Sequence, residues 1–83
     1  MSIRFEAHAL ARMSERGATE QEVTAAIESG ERFEAKFQRV GFRRNFAFDA
    51  TWRSKHYNVK QVEAFAAWED QDWVVITVIV RFF

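Results

Sequence analysis

His8, Arg12 and Arg16 recur at intervals of four, the spacing that stacks side chains along one side of a helix. Cleaving a phosphodiester without a metal needs a proton acceptor, a proton donor and cations against the charge that develops on the phosphoryl group. An imidazole titrates near neutral pH and can serve as acid or base. A guanidinium grips a phosphate at two points. The stretch HALARMSERG, residues 8–17, thus carries the parts of a small acid–base site. The same residues also describe the solvated side of an ordinary helix, with Glu15 paired to a neighbouring arginine.

A second group lies in the middle of the chain. Arg43, Arg44, Lys55 and Lys60, with Arg39 and Arg53, are interleaved with Phe42, Phe46, Trp52 and Tyr57. Cations alternating with rings suit single-stranded nucleic acid, which stacks its bases on aromatic faces. The competing reading is an edge strand guarded by charge, and alternation along a strand would send these cations to different faces. His56 forms an acid–base pair with His8 only if the fold brings the two together; otherwise it is a surface histidine. Two histidines, no cysteine and carboxylates without ligand spacing give no metal site. No glycine-rich loop cradles a phosphate. No metal or cofactor is expected.

The elements that must position these residues follow from periodicity. The 83 residues suit one domain. Nine Phe, three Trp and one Tyr supply most of the apolar area to be buried. Ser2 to Phe5 reads as a short edge strand or extended arm. A helix is predicted from Glu6 to Arg16, with Ala7, Ala9, Leu10, Ala11 and Met13 on a broad apolar side and Gly17 as its left-handed stop. Thr19 and Glu22 form a capping box for a second helix, whose stripe is Val23, Ala26 and Ile27 and whose end is Gly30, stopped in the same way. After Gly30 the period changes to 2. Strands are predicted over Arg32–Phe37, Phe42–Ala50 and His56–Trp68, with Gly41 in the first turn and Thr51–Lys55 as a polar connection. Gln61 and Glu63 interrupt the third strand and predict a bend or bulge. Glu69–Asp72 is a hairpin loop. Trp73–Phe83 is apolar almost throughout and is placed in the middle of the sheet, because at an edge it would invite aggregation. The expected fold is α+β, a helix pair on one face of a four-stranded, mainly antiparallel sheet.

Net charge is zero, yet residues 1–30, 31–60 and 61–83 carry −2, +5 and −3. Proteins built for polyanions usually show an overall excess of positive charge. The absence of cysteine fits a reducing compartment. The charged N-terminal stretch has no signal-peptide core, and the run Trp73–Val80 is far too short to span a bilayer. A cytoplasmic location is expected.

His8-Ala9-Leu10-Ala11-Arg12-Met13, then Glu15-Arg16-Gly17, Glu22-Val23, Gly30-Glu31 and the closing Val75-Ile76-Thr77-Val78 resemble the small bacterial domain-of-unknown-function family forty-two fifty-eight, with its HAxxRMxxRG opening. That family is similar in layout to toxins of the RelE and BrnT type, which are metal-independent ribonucleases. The resemblance implies a RelE-like fold, RNA and an antitoxin-like protein as partners, and a catalytic set of His8 as acid or base with Arg12, Arg16 and Arg81 as phosphate clamps. Arg81 enters because such toxins place working residues on closing strands; the alternative is an arginine paired to an acid such as Glu63. Arg43, Arg44, Lys55 and Lys60 would then bind the nucleic acid. The chain departs from the toxins in being neutral. The contrasting expectation is a catalytically silent domain of the same fold that binds a protein partner or RNA. A homodimer made by strand or aromatic-patch pairing is compatible with either.

Overall fold

The computed structural model describes residues 2–83. The chain runs β1 (Ile3–Phe5), α1 (Ala7–Arg16), α2 (Glu20–Ser29), β2 (Glu31–Glu34), β3 (Val40–Trp52), β4 (Lys55–Glu69) and β5 (Asp72–Phe82). The sheet has five strands in the order β1-β5-β4-β3-β2, not four. The extra strand is the N-terminal arm: β1 pairs parallel to β5, Ile3 opposite Trp73 and Phe5 opposite Val75. The other three pairings are antiparallel. β4 takes the centre. β5, expected in the middle, has strands on both sides only over Trp73–Val75. From Ile76 onward α1 lies against it instead.

α1 forms where predicted, and Gly17 ends it at φ +81°, its amide donating to Met13 O at 2.9 Å. Its buried side is narrower than the pattern suggests: Ala9 and Met13 are buried, while Ala7, Ala11 and Leu10 are exposed. The capping box of α2 is present in both directions, Glu22 N to Thr19 Oγ1 at 3.1 Å and Thr19 N to Glu22 Oε1 at 2.9 Å. Val23, Ala26 and Ile27 are the residues α2 buries.

Gly30 and Gly41 depart from their expected roles. Gly30 is extended, not left-handed. A Cβ there would stand 2.5 Å from the carbonyl oxygens of both Ala26 and Arg43, so the residue is small because two backbones converge on it. Gly41 lies inside β3 opposite Phe33, whose ring occupies the space of a side chain. The turns fall elsewhere and contain no glycine: Phe37–Gln38, Arg53–Ser54 and Asp70–Gln71 are the left-handed pairs at their tips. The last two are two-residue hairpin turns, which need positive φ at both positions.

Helices cover one face. Against them lie Phe42, Val62, Ala64, Ala66, Trp73, Val75 and Val78, in one cluster with Ala9, Met13, Val23, Ala26 and Ile27. Gln61 and Glu63 do not interrupt β4; they belong to the opposite, uncovered face, and the irregularity falls between Phe65 and Ala66. A second bulge lies between Ala47 and Ala50, with Asp49 at φ +42°. Beyond it Trp52, assigned to a connection by its polar neighbours, ends β3 and stacks on Phe82 at 5.3 Å, beside Phe48 and Tyr57. No helix among the described residues is long and apolar enough to cross a membrane.

Candidate functional site

The three α1 residues have separate fates. His8 sits exposed in the first turn and makes no hydrogen bond among the described residues. Arg12 pairs along the helix with Glu15, Nη1 to Oε2 at 2.9 Å. Arg16 turns inward, and its Nη1 donates to Val78 O at 2.7 Å. That carbonyl lies on the edge of β5 left open where β1 stops, so the guanidinium fills the place of a neighbouring strand's N–H. Arg16 is therefore engaged in closing the sheet.

Arg81 is on the other side of the sheet. It stands 3.4 Å from Glu63 Oε2, the acid paired with it as the alternative to a clamp. Glu63 is 5% exposed although no element covers its face. It also accepts from Arg43 Nε at 2.7 Å, and Glu31 lies 3.5 Å from the same guanidinium. The hydrogen bond to Glu63 holds the Arg43 guanidinium above its ordinary range, with the attraction of Glu63 and Glu31 adding to it and partial desolvation opposing. This cluster neutralises itself. The structure thus separates Arg81 from His8, Arg12 and Arg16.

The middle cations do not form one patch either. Arg43 and Arg44 fall on opposite faces, as alternation requires. Arg44 Nη1 donates to Ser29 Oγ at 2.8 Å, on the helix side. Lys60 is 5% exposed and its Nζ lies 2.7 Å from Glu22 Oε1. It is a core ion pair, closed to phosphate. Lys55 is exposed at the β3–β4 tip, 5.5 Å from the Tyr57 ring centroid. His56 shares that tip and meets Asp49, Nε2 to Oδ1 at 2.8 Å. The tip reaches the C-terminal end of α1, where Arg53 Nη2 donates to Glu15 O at 2.9 Å. His8, at the other end of α1, is not brought to His56. No group of three or more potential metal-ligating side chains occurs among the described residues.

The molecule's concave surface is elsewhere. A groove of about 460 Å³ on the helix side of the sheet is lined by Arg32, Val40, Trp68 and Trp73. Trp68 is 51% exposed and meets Trp73 edge to face at 4.9 Å. The Arg32 guanidinium lies 5.2 Å from the Trp73 ring centroid and 5.7 Å from that of Phe42. A smaller hollow of about 270 Å³ on the uncovered face is lined by Ala35, Lys36, Phe37, Arg39, Phe65 and Thr77. Sequence reasoning missed both, because each joins residues from β2 or its turn to residues at least 28 positions later. The alternation of Arg32 with Phe33 was the one local signal.

No curated protein matches the chain, and no solved structure matches it. A family model described as Domain of unknown function (DUF4258) matches residues 5–80. That span takes in α1, α2 and the antiparallel strands described above, and it bears out the resemblance carried by His8–Gly17. The chain belongs to the DUF4258 family.

Proposed function

We propose that this chain is a binding domain that works through a protein partner and carries no nuclease chemistry. One observation supports this most: the acid–base and clamp residues are dispersed, Arg16 on the Val78 carbonyl, Arg12 on Glu15 and Arg81 on Glu63 across the sheet. Catalysis of phosphodiester cleavage needs such groups converging on one reacting centre. Two helices over one face of a mainly antiparallel sheet is a layout similar to the RelE and BrnT toxins, but layout does not fix function. The zero net charge and the self-paired cations favour protein over RNA as partner.

A second reading keeps ribonuclease activity at His8 with Arg12. The observation in its favour is that the His8 ring is exposed and free of hydrogen bonds on the signature helix. Induced expression in a bacterial host separates the two. Wild type is compared with His8→Ala and Arg12→Ala at matched protein levels, and the purified protein is incubated with total RNA. The binding reading expects normal growth and intact RNA. Growth arrest with RNA cleavage, both relieved by the two substitutions, would establish the second.

A further inference from the structure

The chain's cations are mostly engaged. Arg4, Arg12, Arg43, Lys60 and Arg81 meet carboxylates. Arg16, Arg44 and Arg53 donate to a carbonyl or a hydroxyl. Arg32, Lys36 and Arg39 have no carboxylate within ion-pair distance among the described residues. All three belong to the β2–β3 hairpin. Phe37, 83% exposed at a left-handed φ of +61°, is at its tip, and Trp68 flanks it at the same end of the sheet. The free cations and the most exposed rings therefore coincide.

From this coincidence we infer that the Arg32–Trp68–Trp73 groove and the adjoining β2–β3 hairpin dock an extended protein segment that carries an aromatic side chain between carboxylates. The ring enters the groove, whose floor is Val40 and Trp73 and whose volume of about 460 Å³ accommodates it. One carboxylate meets the fork of Arg32, the next Arg39 or Lys36. Tryptophan and arginine at the centre of a groove are the residue types that dominate binding energy at interfaces. Arg32 is already held flat against two rings, so it loses little freedom when it engages an anion. A protein segment fits better than a nucleic acid. Glu34, Glu69 and Asp70 are exposed at the same end. They repel an unbroken phosphate chain but leave room for isolated acids set over the cations.

This inference rests on the protein-partner reading. Its test uses the intrinsic fluorescence of Trp68 and Trp73 during titration of the full chain with the acetylated peptide EDFEE. KKFKK and a short oligouridylate are run beside it. The expected result is a saturable change with EDFEE alone. It weakens as salt is raised, and it is weaker by about tenfold in Arg32→Met, which keeps an apolar cover over Trp73 but loses the charge-assisted bonds. Trp68→Ala abolishes it. Because Arg32 and Trp68 are exposed, both variants retain the fold, checked by circular dichroism. No saturable change, an equal response to KKFKK, preference for the oligouridylate, or an Arg32→Met variant that binds like wild type would each overturn the surface. Failure here with normal growth and intact RNA removes only this surface; growth arrest with cleavage removes the reading beneath it.

Discussion

The Lys60–Glu22 pair decides whether a cation in the basic middle third is structural, and two substitutions test it. At 2.7 Å the gross attraction is about 6 kcal/mol at an effective dielectric near 20. Desolvation of both ions cancels most of that, yet removing one member of a buried pair still costs about 3–5 kcal/mol, because the other is stranded. The side chain of Lys60 is 6% exposed and that of Glu22 is 22% exposed. Glu22→Gln therefore strands the more deeply buried charge. The amide oxygen remains an acceptor, which lowers the expected loss to about 2–3 kcal/mol. Lys60→Met keeps an unbranched apolar stem beneath α2 and leaves Glu22 bonded to the Thr19 amide with a path to water. Its expected cost is about 1 kcal/mol or less. Urea unfolding followed by tryptophan fluorescence gives both values. In a domain of this size the Glu22→Gln loss corresponds to a fall in Tm of roughly 10–20 °C. Equal costs for the two variants, or a larger cost for Lys60→Met, would refute the assignment of Lys60 as the stranded partner and reopen it as a surface cation.

Three further outcomes follow from the turns, the glycines and the N-terminal strand. Gly30→Ala lowers stability by about 3 kcal/mol, since the new methyl meets two backbone oxygens; Gly41→Ala costs about half as much, because the Phe33 ring it meets can swing aside. Urea midpoints of the two variants, compared at constant slope, check that order. Gln71→Gly stabilises the chain by about 1 kcal/mol, because it relieves a left-handed residue (φ +66°) in a two-residue hairpin turn; a thermal melt that moves up by several degrees is the expected readout. The Ser2 hydroxyl and amide both donate to Asp72, and these bonds, aided by Arg4, hold its carboxyl below the ordinary range. Its stabilisation is complete above the unfolded-state value of about 3.9 and is lost as pH falls through the lower folded value. Asp72→Asn therefore flattens the acid limb of the stability profile and leaves its shape above pH ~5 unchanged.

Local signals were legible where the physics is local. The Thr19–Glu22 capping box and the Gly17 stop concern groups within five residues of each other, and both are present. The number of strands was not legible, because Ile3–Phe5 becomes a strand only by meeting residues seventy positions later. Glycine misled at residues 30 and 41: in a chain whose hairpin tips are built from non-glycine residues, glycine marks close approach and not a turn. The basic middle third misled in a similar way. Composition counts Arg43, Arg44 and Lys60 together, but the pleat sends Arg43 to one face and the other two to the opposite one, and Glu22 and Glu63 claim two of the three. The signature face of α1 reads as chemistry or as solvent; that Arg16 would serve a strand edge 62 residues away has no sequence signal.

The β1–β5 pairing also sets an order of events during synthesis. Residues 3–5, α1 and its Arg16 obtain their partners only from Trp73, Val74, Val75 and Val78. Until those residues leave the ribosome, the first seventeen have no sheet to pack on, and the β3–β4 hairpin must form with its helix-facing side uncovered by α1. Completion waits on contacts of long sequence separation, which fold slowly. A nascent chain stalled before residue 73 would be a better substrate for chaperones and proteases than its length suggests, and release of the last dozen residues would close the fold in one late step.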